Sequence, residues 1–153
     1  MSADAGRDAI YLDTNILIHI VEGHQRYRPV LERLVAAIEI KTLSAITCVL
    51  SLAEVLVGPL RDTDEQRVRA FEALLSADSP DIEIMPLNRE LLIRSARLSA
   101  DLGLKLPDAI HVAAAEQAGC SMFLTEDRRI RTPATMQIVD LGGLDHVLAR
   151  GDT

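Results

Sequence analysis

Short apolar runs alternate along this chain with longer stretches whose apolar residues recur at helical spacing. That alternation constrains the fold more than any other feature, because strand–helix–strand repeats are best satisfied by a parallel sheet with helices on both faces, an α/β architecture. Ala9 to Leu12 reads as the first strand and Leu43 to Ile46 as the second; Ile82 to Pro86, with Pro at its end, Ser121 to Leu124 and Gln137 to Leu141 follow. Helices are expected over Thr14 to Val21, Tyr27 to Glu39, Cys48 to Val57, from a cap at Asp62 or Thr63 to Leu75, Arg89 to Leu102, and Pro107 to Gln117 or Ala118. Gly58-Pro59, Gly103 and Gly119 are expected to stop the third, fifth and sixth of these, and Asp145 to Ala149 to form a last helical turn. At 153 residues, with no repeat or linker, the chain suits one domain (1–153, core about 9–141).

Four acids stand inside apolar segments. Asp13 ends Ile10-Tyr11-Leu12, Glu54 interrupts Val49 to Val57, Asp108 precedes Ala109-Ile110, and Asp127 comes just after Met122-Phe123-Leu124. A buried carboxylate must be paired, neutralised or bound to a cation. No run of Lys or Arg matches these acids, so a shared metal ion is the economical reading. In open α/β sheets sites form beyond the carboxyl ends of the strands. Asp13 and Asp127 fall there, and Glu54 and Asp108 lie on helices that can reach the same edge, so the four carboxyl groups are expected in one pocket. Each also has a structural reading. Asp13 suits an N-cap, Glu54 a capping pair with Ser51, Asp108 the positive end of a helix, and Asp127 a solvated turn in which Glu126 competes with it.

Other chemistries find less support. Cys48 and Cys120 read as buried free thiols. The histidines show no mutual ligand spacing, and His111, three residues after Asp108, reads as a packed histidine. Ser51 has no flanking elbow glycines, there is no Gly-rich phosphate loop, and Asp13 has no second Asp two residues on. The net charge of −7 opposes a generally basic nucleic-acid surface, although all the basic residues except Lys41 and Lys105 are Arg, which suits phosphate contacts. No apolar run is long enough to span a membrane, and the N-terminus lacks the pattern of a signal peptide. A soluble cytoplasmic protein is expected.

Four blocks in order, Ile10-Tyr11-Leu12-Asp13-Thr14-Asn15, Ser51-Leu52-Ala53-Glu54, Leu106-Pro107-Asp108-Ala109-Ile110-His111 and Leu124-Thr125-Glu126-Asp127, resemble the PIN-domain family, and the chain looks like its single-domain VapC-type toxin nucleases. The resemblance implies a three-layer α/β/α fold and a Mg²⁺- or Mn²⁺-dependent endoribonuclease. It also implies a homodimer and a cognate antitoxin protein as inhibitor. Asp13, Glu54, Asp108 and Asp127 match the family's acidic positions, and Asn15 and Thr125 its polar supporting ones. Glu126 departs from the usual uncharged residue there, which leaves its part in the site open.

Physically, Mg²⁺ takes oxygen ligands and keeps several waters, so Asp13 and Asp108 are assigned as principal ligands, with Glu54 and Asp127 serving a second ion or metal-bound waters. A metal-activated water would attack the phosphodiester of an RNA substrate. Asn15 and Thr125 would orient the ligands, and Arg128, Arg129 and Arg131 would hold the RNA backbone. Without metal, repulsion among the acids is expected to raise their pKa values. The alternatives are an inactive or RNA-processing PIN-like metal-binding module and a small-substrate phosphohydrolase.

Overall fold

A computed structural model describes residues 8–150. Residues 1–7, on which the signal-peptide reading rests, and 151–153 lie outside the described residues. The described residues form five parallel strands, β1 (Ala9–Leu12), β2 (Ser44–Cys48), β3 (Ile82–Met85), β4 (Met122–Leu124) and β5 (Gln137–Val139). The helices are α1 (Thr14–Glu22), α2 (Arg28–Glu39), α3 (Leu50–Arg61), α4 (Glu65–Leu74), α5 (Arg89–Leu102), α6 (Leu106–Gln117) and α7 (Leu141–Arg150), with a short 3₁₀ turn at Gln25–Tyr27.

The strand order β3-β2-β1-β4-β5 reverses direction between β1 and β4. Such a reversal opens a crevice at the carboxyl ends of the two central strands, because their connections leave to opposite sides. Asp13 directly follows β1, and Thr125-Glu126-Asp127 directly follow β4. The topology thus places both segments at the crevice.

Side chains alternate across the sheet. Ile10, Leu12, Met122 and Leu124 join one buried cluster with Leu17, Leu34 and Phe71. Tyr11, Ile46 and Phe123 join a second with Leu91, Leu98 and the small residues of α6. Central strands apolar on both faces require helices on both sides, and this gives the expected three layers. In α6 every residue from Ala109 to Ala115 is buried; its run of alanines lets the helix lie close under the sheet. Among the described residues no helix is long and apolar enough to cross a membrane.

Some expectations fail locally. Gly58-Pro59 does not stop α3, which runs on to Arg61 with Pro59 buried inside it. The missing proline N–H costs one helical bond, and the turn beyond is held by Asp62 N to Gly58 O and Asp64 N to Pro59 O. The next helix is capped by Asp64, whose side chain accepts from Arg67 N, rather than by Asp62 or Thr63. At the other end, α7 starts at Leu141, ahead of the expected Asp145, and β5 is correspondingly short. Gly142-Gly143 hid this start because glycine disfavours helix. Two acids compensate: Asp140 accepts from Gly143 N, and Glu126, distant in sequence, accepts from Leu141 N at 2.7 Å.

Candidate active site

Asp13 extends β1 by donating its own N–H to Leu124 O, which seats it in the crevice. It is 5% exposed. Its Oδ1 accepts from Thr14 N, so the cap expected at this junction is present. Its Oδ2 accepts from Thr125 Oγ1 at 2.7 Å and from Asn15 Nδ2 at 3.2 Å. Thr125 Oγ1 in turn accepts from Asn15 Nδ2 and from Asp127 N, while Asn15 Oδ1 accepts from Glu126 N. Asn15 and Thr125 therefore tie the loop after β4 to the loop after β1. Such satisfied networks fix the orientation of a buried carboxylate.

Asp108 occupies the first turn of α6 and is half-buried. Burial raises its pKa, and the charges of Asp127 and Asp13 raise it further. Asp108 thus lies within electrostatic reach of both Asp13 and Asp127. Asp127 itself is held below the usual carboxylate range, chiefly by Arg129, which bonds both of its oxygens at 3.1 and 3.0 Å. Arg129 is thereby committed to Asp127. Arg128 and Arg131 are exposed nearby.

Glu54, on α3, is half-buried and engaged elsewhere. Its Oε1 accepts from Thr14 Oγ1 at 2.9 Å and lies 2.5 Å from His111 Nε2. Burial pushes its pKa up, but the His111 and Thr14 interactions outweigh that and hold the carboxyl below its ordinary value. The expectation of raised pKa values throughout is therefore met by Asp108 and overturned for Glu54 and Asp127, because each of the latter has a donor. Glu54 is tied to Thr14, the residue after Asp13, and Asp108 feels the charges of Asp13 and Asp127. Among the described residues no group of three or more His, Cys, Asp or Glu stands where it could hold a metal ion together.

Sequence reasoning missed His111. It is 1% exposed, and its Nδ1 lies 2.7 Å from the hydroxyl of Tyr11, itself fully buried. It is packed, as expected, yet both ring nitrogens also make polar contacts. The spacing from Asp108 was a signal, but both partners lie far away in sequence. Thr47 and Ser51 extend the same network, with Ser51 Oγ 3.2 Å from Thr14 Oγ1 and 3.0 Å from Thr47 Oγ1. Glu126 turns its carboxylate to the start of α7. Cys48 and Cys120 are buried and free, with the Cys120 thiol pushed up to about 12 by burial.

The donor set bears on the metal that the fold class implies. The groups are oxygen-bearing, they concentrate negative charge at Asp108, and the cations Arg129 and Lys105 stand near them. In chemistry and charge they fit a hard divalent cation. In position they are not gathered about one point.

The profile of the PIN domain matches residues 10–135. This chain belongs to the PIN-domain family. A toxin–antitoxin complex from Klebsiella pneumoniae contains a similar chain, 23% identical with a TM-score of 0.61, over 86% of this chain and 97% of that one. VapBC2 from Rickettsia felis, bound to a DNA fragment from its promoter, is similar at 16% identity and a TM-score of 0.64, over 86% and 98% of the two chains. FitAcB from Neisseria gonorrhoeae gives 18% identity and a TM-score of 0.61 over 87% and 98%. These likenesses establish the PIN fold across nearly the full length of the solved chains. No curated protein sequence matches.

Proposed function

We propose that this PIN-domain protein is a Mg²⁺- or Mn²⁺-dependent endoribonuclease, the toxin of a VapC-type toxin–antitoxin pair. The observation that carries the reading is the shared charge at the β1/β4 crevice, where Asp108 is under the influence of both Asp13 and Asp127. Carboxylates that repel across a crevice, with little compensating cation, are suited to receive a divalent ion and a phosphate. Asp13 and Asp108 would be its principal ligands, with Glu54 and Asp127 completing the acidic set. When bound, the ion supplies charge neutralisation at the phosphate and acidifies a water.

The chain's own residues supply orientation and substrate binding. Thr125 and Asn15 donate to the Asp13 carboxylate, and Thr14 donates to Glu54. A cleft of about 720 Å³ opens between the Gln25–Tyr27 turn and α7, lined among others by Arg26, Tyr27, Arg128 and His146 and by the acids Glu126, Asp127 and Asp140. A strand of RNA would meet arginines for its phosphates there, with Arg26 lying over the Tyr27 ring at 5.2 Å. The cleft adjoins Asp127 and does not include Asp13, Asp108 or Glu54, so it is the approach to the acids rather than the reaction centre.

Antitoxin binding is proposed from the named partners in the similar complexes. Homodimerisation is proposed because α3 and α5 leave Val57, Leu60, Leu92 and Ile93 exposed. One observation favours a second reading, a PIN-like RNA-binding module that does not cleave: among the described residues the acids are not gathered into a metal cluster. The deciding experiment is expression of the wild type and of Asp13→Asn in a bacterial host, with sequencing of RNA 5′ ends. New ends at a defined site that require Asp13 support the nuclease. Binding without new ends supports the module.

A further inference from the structure

The Tyr11–His111–Glu54 contact is built from groups on three separate elements. Tyr11 lies on β1, His111 on the inner face of α6, and Glu54 on α3. Tyr11 is stacked on Phe123, with ring centroids 5.0 Å apart, and meets His111 edge-on at 5.8 Å. The ring is thus clamped before its nitrogens are considered. An ordinary phenol is protonated at neutral pH. A phenol 2.7 Å from Nδ1 can donate its proton to that nitrogen, which would leave Nε2, 2.5 Å from Glu54 Oε1 and 3.3 Å from Thr14 Oγ1, to carry the ring N–H. Thr14 Oγ1 donates to the same Glu54 oxygen. Among the described residues Oε2 of Glu54 has no hydrogen-bond partner.

We propose that His111 is a positioning residue for Glu54: Tyr11 fixes the tautomer with its proton on Nε2, and that N–H, with the Thr14 hydroxyl, ties down Oε1 and presents Oε2 alone to the site. A carboxylate held this way can accept one ligand or one water and cannot swing to chelate through both oxygens. The inference rests on the nuclease reading for its consequence in activity. The tie itself is a property of the metal-free protein and is tested separately.

A packing role and a positioning role separate through two amide substitutions. A Gln amide can place an N–H where Nε2 stands, whereas an Asn amide reaches only as far as Nδ1. The test is a ¹⁵N spectrum of histidine-labelled protein, with Mn²⁺ binding followed by calorimetry and RNA cleavage measured for His111→Gln, His111→Asn, His111→Ala and Glu54→Ala. The expected spectrum shows a pyrrole-type Nε2 and a pyridine-type Nδ1 for His111, lost in Tyr11→Phe. His111→Ala and His111→Asn are expected to weaken Mn²⁺ binding and kcat by about 10- to 100-fold with little change in KM, and His111→Gln to recover most of the loss. His111→Ala added to Glu54→Ala is expected to cost little more, because both act through one carboxylate.

A pyridine-type Nε2 overturns the proposal. So does His111→Ala matching the wild type beside an impaired Glu54→Ala, or equal losses in the Gln and Asn variants. If wild-type protein binds no Mn²⁺ and leaves RNA intact, the nuclease reading fails, and the tautomer still decides whether the tie exists.

Discussion

Thr125 Oγ1 donates to Asp13 Oδ2 across 2.7 Å and thereby joins the ends of the two central strands through one hydroxyl. The same oxygen accepts from Asn15 Nδ2 and Asp127 N. Thr125→Val keeps the shape and removes all three bonds. It is expected to cost about 1–3 kcal/mol of stability, the penalty for buried polar groups left unpaired. Cleavage is expected to fall by about 10- to 100-fold because Asp13 loses its orienting donor. Thr125→Ser should recover both, as read by thermal unfolding and initial rates.

Asp108 gives a pH-dependent prediction whose sign is set by its raised pKa. A carboxyl whose folded pKa lies above its unfolded value is relatively favourable to folding at low pH, and that contribution is lost as pH rises through the folded pKa. At neutral pH the charged Asp108 therefore costs stability in the metal-free protein. Asp108→Asn is expected to raise Tm at pH 7 while abolishing cleavage. The gain in Tm should shrink as pH falls through the raised pKa and vanish below the ordinary Asp value. Equal Tm at pH 7 would contradict the charge clustering.

Glu54 runs the other way. Its lowered pKa gives stability that is present above the ordinary Glu range and is lost as pH falls through the folded value. Glu54→Gln should accordingly be less stable than wild type at neutral pH, with the difference closing in acid. Thermal unfolding across pH 3 to 7, about the Asp and Glu reference values, reads both variants in one series.

Glu126 is assigned to the start of α7 by its bond to Leu141 N. Glu126→Ala is expected to cost about 0.5–2 kcal/mol, as for the loss of an N-cap. Its backbone N–H to Asn15 is retained, so kcat should change little. A loss of activity as large as that of Asp13→Asn, at retained stability, would place Glu126 among the acidic site residues instead.

The cleft beside Asp127 makes a prediction about binding alone. Removing Arg26 and Arg128 together should weaken single-stranded RNA binding by Asp13→Asn protein. It should also lower the slope of log affinity against log salt by roughly 0.7 for each phosphate no longer neutralised. Arg129, already committed to Asp127, should contribute less to that slope. An unchanged slope in the double variant would move the RNA path elsewhere.

Much of the fold was legible because it depends on local period and punctuation. β1, α5 with its Gly103 stop, and α6 with Pro107 in its first turn stand close to where spacing puts them. The start of α7 was illegible because the Glu126 cap comes from another loop, and a local reading at Gly142-Gly143 sees only helix-breaking residues. The four acids were recognisable as misplaced charges in apolar runs, and the crevice between β1 and β4 explains the placement of Asp13 and Asp127. What spacing could not supply was the direction of each carboxylate. Glu54 is turned by a histidine 57 positions away, and that histidine is oriented by a tyrosine 100 positions before it.

Hydrolysis of RNA at the acids of the β1/β4 crevice is the proposed activity. Its most direct measurement is cleavage of single-stranded RNA by purified wild-type and Asp13→Asn protein, with Mn²⁺ and with chelator. Wild-type protein with Mn²⁺ is expected to cleave internally, and neither the folded variant nor the wild type in chelator is expected to cleave. Equal cleavage by Asp13→Asn, or cleavage undiminished by chelator, would contradict the proposed activity.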